Sequence, residues 1–169
     1  MSLPVITVDD IKLDELNNEI NEKYTSTFNT FKEQSSENSF TYTVTYNEYR
    51  NTIKNMDILT ITIYEKMVDD NIKKNSMEKI NTYNIDLSTG KVINISDKLV
   101  DILGSTYKDD IRNKVKEYTI SKSYSTENEF TYVYTGLEIY YFKDGKLHIV
   151  FNPDNIVDKK YGIIDLEVN

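Results

Sequence analysis

The stretch Phe40-Thr41-Tyr42-Thr43-Val44-Thr45-Tyr46 decides the fold class. Aromatic and aliphatic side chains alternate with threonine, and a strand turns that period of two into one apolar face. Threonine on the outward face is itself a good strand former. Upstream the period is different. Leu16, Ile20, Tyr24, Phe28 and Phe31 recur at intervals of four, four, four and three, which predicts one apolar stripe on a long helix over residues 11–33. Asp9 and Asp10 are its N-cap candidates, and Asp14, Glu15 and Glu19 put negative charge in the early turns, where the helix dipole favours it. Residues 4–8 read as a short β-type segment and residues 34–38 as a polar loop.

Downstream, a second strand is expected over residues 57–67, a charged loop over 68–78 and a third strand over 80–87. Ser88-Thr89-Gly90 supplies a turn, with Gly90 where a positive φ is cheap, and Val92, Ile93 and Ile95 form the return strand. Ser96 is the expected N-cap of a short helix carrying Leu99, Val100, Ile102 and Leu103, which Gly104 ends. Ile111, Val115 and Tyr118 mark a further helix over 105–120. A hairpin closes on Lys143-Asp144-Gly145-Lys146, with strands over 137–142 and 147–151. A loop over 152–162 precedes a last strand over 163–168. The order is α+β: a mostly antiparallel sheet with a long N-terminal helix and one or two further helices. At 169 residues the chain fits a single domain, with a possible division into subregions near 4–78 and 79–169.

Composition narrows the function. There is no cysteine, which removes disulfides, thiolate metal sites and cysteine nucleophiles. Twenty-eight acids against 20 bases leave a net charge of −8, a field that repels phosphate backbones and favours cationic partners, so nucleic acid is not an expected ligand. No apolar run approaches the ~20 residues needed to span a bilayer, and Met1-Ser2-Leu3-Pro4 does not read as a signal peptide. Heavy use of Asn, Lys, Ile and Tyr matches AT-rich coding sequence and points to a low-GC bacterium.

Searched for chemistry, the chain offers little. His148 is the single histidine, between Leu147 and Ile149, and no serine elbow accompanies it, so it reads as a half-exposed strand residue. The acid pairs Asp9-Asp10, Asp69-Asp70 and Asp109-Asp110 lack the alternating spacing of a calcium loop and read as caps or solvated faces, so no metal or other cofactor is expected. The five glycines are isolated, which leaves no phosphate-cradling loop. Asn94-Ile95-Ser96 matches a glycosylation sequon, but a helix cap explains Ser96 better. Two carboxylates can run glycoside hydrolysis from any fold, and that alternative stays open. Tyrosine is the remaining candidate, with Tyr132, Tyr134, Tyr140 and Tyr141 around the last hairpin and Tyr161 in the following loop. Strand propensity accounts for most of them; it does not account for loop-borne Tyr161.

Two stretches carry a resemblance. Tyr83-Asn84-Ile85-Asp86-Leu87-Ser88-Thr89-Gly90-Lys91, followed by Ile95-Ser96-Asp97, is similar to a signature of RsiV-type extracytoplasmic domains. The run of Phe130, Thr135-Gly136, Ile139-Tyr140-Tyr141-Phe142, Lys146-Leu147 and Val150-Phe151-Asn152-Pro153 resembles the end of that family's domain. Pro4, a helix containing Ile20-Asn21 and the Phe40 strand complete the order. The resemblance implies a non-catalytic domain on the extracellular face of the cell membrane of a Gram-positive cell, part of an anchored protein whose anchor is not among these residues. In that family the domain is the ectodomain of anti-sigma factors that bind lysozyme and are then proteolysed, releasing a sigma factor. It also occurs as an accessory domain beside peptidoglycan deacetylases. A basic protein such as lysozyme is the implied partner, and the implied contacts are Asn152, Pro153, Asp154, Asn155 and Tyr161. The chain departs from the pattern at Asp154, where the family tends to have Tyr, and at Ile156-Val157-Asp158, which replaces Ile-Ala-Pro.

Overall fold

The computed structural model describes residues 3–34, 39–71 and 74–169. The chain is an α+β protein with mostly antiparallel sheet. Its elements, in order, are β1 (Thr7–Val8), β2 (Ile11–Lys12), α1 (Asp14–Gln34), β3 (Phe40–Ile53), β4 (Met56–Asp69), β5 (Lys74–Asp86), β6 (Lys91–Val92), α2 (Leu99–Leu103), α3 (Tyr107–Ser121), β7 (Ile139–Lys143), β8 (Lys146–Phe151) and β9 (Ile164–Glu167). Single 3₁₀ turns at Ile95–Lys98 and Lys159–Tyr161 precede α2 and β9. Strands β3-β4-β5-β6 form one sheet, β7-β8-β9 a second, and β1-β2 a small hairpin. Two compact units result: residues 1–47 with 63–79, and residues 48–62 with 80–169.

In the first unit, α1 buries Leu16, Ile20 and Tyr24, the first three members of the predicted stripe, and Val44, Ile63 and Met67 are buried on the strands. The stripe weakens toward its end: Phe28 is 43% exposed, and it and Phe31 lie against Tyr42 at ring separations of 6.3 and 5.7 Å. Thr41, Thr43 and Thr45 face solvent, as the alternation requires. Asp9 and Asp10 do not cap the helix. With φ of 48° and 65° they form the two-residue turn between β1 and β2, and Ile11, expected to begin the helix, is paired with Val8. Two consecutive positive φ angles define a type I′ turn, whose twist matches a hairpin, and aspartate tolerates that region better than most residues. Asn17 then ties α1 to the hairpin, its Oδ1 accepting from Ile6 N at 2.7 Å and its Nδ2 donating to Ile6 O at 3.0 Å.

The expected loop over 68–78 is mostly strand, since β4 runs to Asp69 and β5 begins at Lys74. Charge does not stop a strand whose charged side chains find partners. Tyr64 donates to Glu78 across the pair, and Ser39 and Thr41 donate to Asp70 at 2.9 Å each. Of the expected 34–38 loop, residues 35–38 lie outside the described residues.

The second unit holds the larger core: Ile58, Ile95, Leu99, Ile111, Val115, Phe142, Leu147 and Ile149, all nearly inaccessible, with Phe151 and Ile164 beside them. Each such side chain contributes about 1.5–3 kcal/mol by leaving water. Strand β4 is buried without a break from Ile58 to Ile63. A set of buried amides and hydroxyls fastens β7 to strands of the other sheet. Thr60 Oγ1 donates to Asn84 Oδ1 at 2.8 Å, Asn84 Nδ2 and Thr82 Oγ1 donate to Tyr140 O at 2.9 and 2.8 Å, and Asn51 Nδ2 donates to Phe142 O at 3.1 Å. Asn84, a residue of the resemblance motif, is therefore a structural fastener. The return strand after Gly90 is shorter than expected, only Lys91–Val92, and Asn94 rather than Ser96 caps the following turn by accepting from Ser96 N and Oγ at 3.2 and 2.8 Å. The closing hairpin turns where expected, with Asp144 and Gly145 at φ of 52° and 76° in the turn.

Candidate functional site

Between α3 and β7 the chain has no regular strand but keeps an alternation: Phe130, Tyr132 and Tyr134 turn inward while Thr131, Val133 and Thr135 face out. Tyr132 packs edge-on against Phe151 at 5.3 Å, and Tyr134 edge-on against Tyr107 at 5.4 Å. At Thr135 the segment turns sharply. Gly136 has φ of 80°, where a side chain would be strained, and the turn brings Glu138 back beneath Thr135. Its Oε1 accepts from Thr135 N at 2.8 Å, Thr135 Oγ1 at 3.0 Å and the Tyr132 hydroxyl at 2.9 Å. These bonds hold 135–138 as a turn, so β7 starts at Ile139 rather than at the expected residue 137.

The result is a pocket of about 400 Å³ whose lining includes Tyr132, Val133, Leu137, Glu138, Phe151 and Asn155. Val133 is 67% and Leu137 88% exposed, which gives the rim an apolar character. Among the described residues Glu138 is the one charged residue of the lining. Three donors converge on its Oε1, while its Oε2 is buried and has no hydrogen-bond partner among the described residues. Burial, reinforced by the Glu138 charge, pushes the Tyr132 phenol well above its usual pKa. Burial likewise raises Tyr140, with Tyr134 and Glu138 adding to it, and raises Tyr134 to about 12. These phenols stay neutral donors at any physiological pH.

The five residues implied by the resemblance lie in the neighbouring loop, and the structure gives most of them local work. Asn152 pairs with the Ile80 backbone, accepting from Ile80 N at 2.8 Å and donating to Ile80 O at 3.2 Å. Asp154, at φ of 68°, accepts from Lys159 N at 2.8 Å. Pro153 is half-buried. Tyr161 is stacked on Tyr124 at 4.1 Å, with Lys160 over its ring at 4.7 Å. Asn155 alone of the five lines the pocket. Val133, Leu137 and Glu138 escaped the sequence reading because Leu137 looked like the start of a strand. The Thr135-Gly136 pair was the available sign of a turn.

Other candidates are accounted for locally. His148 Nδ1 lies 2.9 Å from Asp165 Oδ1, its ring is 4.7 Å from Tyr141, and the Tyr141 hydroxyl donates to Asp165 Oδ2 at 2.5 Å. Asp110 accepts from Thr106 Oγ1 at 2.7 Å at the start of α3. Among the described residues no group of three or more His, Cys, Asp or Glu side chains is placed to hold a metal, and no helix is long and apolar enough to cross a membrane.

No protein-family model matches the chain, and no curated protein sequence does. Solved structures do. The fold is similar to that of a DUF3298 family protein from Pseudomonas aeruginosa PAO1, at a TM-score of 0.58 and 12% identity over 85% of this chain. It is also similar to a DUF3298 family member from Bacteroides fragilis NCTC 9343, at a TM-score of 0.52 and 13% identity over 93% of this chain. The matches span 64% and 66% of those two chains. At such identities the likeness is one of fold: an α+β arrangement shared with DUF3298 proteins.

Proposed function

We propose that this chain is a non-catalytic binding domain that receives a cationic protein on the outer face of a membrane-anchored protein, with lysozyme as the first ligand to test. The carrying observation is the pocket at Glu138, where one carboxylate sits among aromatic walls under the exposed side chains of Val133 and Leu137. Exposed apolar groups around a single anion suit a protein interface, since such contacts combine apolar burial with charge selection. The chain's net charge of −8 supports the same reading, because long-range attraction speeds encounter with a basic partner and rejects acidic ones. The DUF3298 fold, the type to which RsiV-like and deacetylase-accessory domains belong, supports a sensor or accessory role in the cell envelope. In the sensor role, partner binding licenses proteolysis of the anchored protein and release of a sigma factor.

Calorimetric titration with hen lysozyme tests the reading. Saturable heat that weakens as salt rises, together with inhibition of muramidase activity, is expected. No heat and no inhibition at tens of micromolar overturn lysozyme as the ligand.

A further inference from the structure

We infer that residues 131–134 are an open strand that takes a second strand from a basic partner protein, laid along the pocket with an apolar side chain inside it. The inference rests on the reading of the chain as a receiver of cationic protein, and it specifies the shape of what is received. Residues 131–134 keep the alternation of a strand, yet they belong to no sheet. Among the described residues nothing bonds to the main-chain N–H or C=O of Thr131, Tyr132, Val133 or Tyr134. Main-chain bonding resumes at Thr135, whose N–H goes to Glu138. Folded chains pair nearly all such groups or leave them to water, and a run of unpaired ones is the template on which strand addition works.

The pocket lies along this run. Its lining takes in Thr131, Tyr132 and Val133 one after another. Consecutive side chains of a strand point to opposite faces, so a cavity that meets three in succession meets the segment along its edge, where the main-chain groups project. Alternate residues share an edge, and Thr131 and Val133 are exposed while Tyr132 is buried. Thr131 and Val133 are therefore the pair to which a new strand bonds. Ile139, Val150, Phe151 and Ile156 complete an apolar lining that suits a branched aliphatic side chain of that strand. The Gly136 turn and the bonds of Thr135 and Tyr132 to Glu138 Oε1 hold the segment in shape beforehand, which lowers the ordering cost of binding. Charge selects the source of the strand. A second copy of this chain brings another −8 and is repelled, and so short a segment buries far less than the ~800 Å² per partner of a stable interface. A basic partner is attracted instead.

The test uses the whole chain and three synthetic peptides: acetyl-Lys-Val-Thr-Val-Lys-amide, its Glu-Val-Thr-Val-Glu counterpart, and the lysine peptide N-methylated at its three central residues. Amide exchange and methyl shifts are followed by NMR at low salt, with peptide raised to millimolar concentration. In the free protein the Thr131 and Val133 amides are expected to exchange nearly as fast as in an unstructured chain. The lysine peptide should slow them roughly tenfold or more and shift the Val133, Leu137 and Val150 methyls saturably. The acidic peptide should bind several-fold more weakly, and the N-methylated one, which cannot donate, should leave the exchange unchanged. Val133→Pro removes a donor that has no partner in the fold, so it should weaken the lysine peptide several-fold without moving the urea midpoint. Amides already protected in the free chain, or equal binding of the N-methylated peptide, overturn the inference. Equal binding of the acidic peptide overturns the choice of a basic partner, and a dimer in sedimentation with these amides protected gives the edge to a second copy. If V133P does not fold, the peptides on the unaltered chain decide the matter. Lysozyme heat with no slowing by the lysine peptide removes this edge and keeps the proposed function. Slowing without lysozyme heat keeps the edge and removes lysozyme as the source of its strand.

Discussion

Two neighbouring segments of the second unit use their polar groups in opposite ways. Residues 152–162 satisfy them within the protein: Asn152 pairs with Ile80, Asp154 receives Lys159 N, Asp158 receives Lys160 N, and Tyr161 stacks on Tyr124. Residues 130–138 leave something over, namely a buried carboxylate oxygen with no donor among the described residues and two large apolar side chains in water. The first segment is the one expected to contact a ligand, yet its polar groups are mostly spent on contacts within the protein. Of the second only Leu137 and Glu138 fall in an expected element, the strand over 137–142, and the segment leaves Val133 and Leu137 exposed beside a pocket. Similarity of sequence marks where backbone is shaped alike; unsatisfied groups mark where a partner gains something by binding.

The largest expected effect breaks the comparison if it fails. Asn152→Ala removes both partners of the Ile80 amide at once, and a half-buried backbone group without a partner costs about 1–3 kcal/mol. Urea unfolding should show a loss of that size. A near-neutral result would mean that Asn152 is available to a partner after all, and that the 152–162 loop is not self-contained.

Next comes the alkaline limit of stability. Tyr132, Tyr140 and Tyr141 all have phenol pKa values raised above 10.0, chiefly by burial, with Glu138 adding to the first two and Asp165 to the third. A raised folded pKa gives stability that is fully present below the unfolded value near 10 and lost as pH rises toward the folded one. The protein should therefore unfold cooperatively above pH 10, with absorbance at 295 nm rising together with loss of circular dichroism. Tyr132→Phe and Tyr140→Phe should each shallow that loss. A loss above pH 10 as steep in both variants as in the parent would show the 130–140 segment to be open to water.

How much of this was legible beforehand follows from the range of the forces involved. Strand alternation around Val44 and the Leu16–Ile20–Tyr24 stripe are local periods, and both appear in the fold where the spacing put them. The Asp144-Gly145 turn was legible because glycine advertises positive φ. Asp9-Asp10 and Lys54-Asn55 adopt the same turn without such a residue, and Asp9 and Asp10 looked like helix caps for that reason. Asn84 and Asn51 could not be read as fasteners of β7, since their partners lie 56 and 91 residues away. The same holds for the site. Glu138 is one acid among many until the Gly136 turn, Tyr132 and Thr135 single out one of its oxygens.

A smaller effect sharpens the contrast between stability and binding. Leu137 is 88% exposed, so Leu137→Ser should change unfolding free energy by no more than about 0.5 kcal/mol. If the rim meets a partner, the same substitution should weaken lysozyme binding roughly fivefold, about 1 kcal/mol, as a peripheral apolar contact does. Stability and affinity moving together would place Leu137 in the fold instead of at the interface.

The smallest effect lies at the start of the 126–138 segment. Glu129 Oε2 accepts from Thr126 Oγ1 at 2.7 Å and Thr126 N at 3.0 Å, and these bonds hold its carboxyl below its ordinary pKa. A depressed folded pKa gives stability that is present above the unfolded value and lost as pH falls through the folded one. Glu129→Gln should therefore flatten the acid limb of the stability profile below about pH 4.5 and leave the plateau near neutrality almost unchanged, because the side chain is exposed and water competes for its bonds. The Glu138 pocket, which begins only at Thr131, should keep its contribution to lysozyme affinity in this variant. A weakened affinity would mean that the Thr126–Glu129 turn helps to position the pocket wall, and that the segment acts as one piece from its first turn to its last.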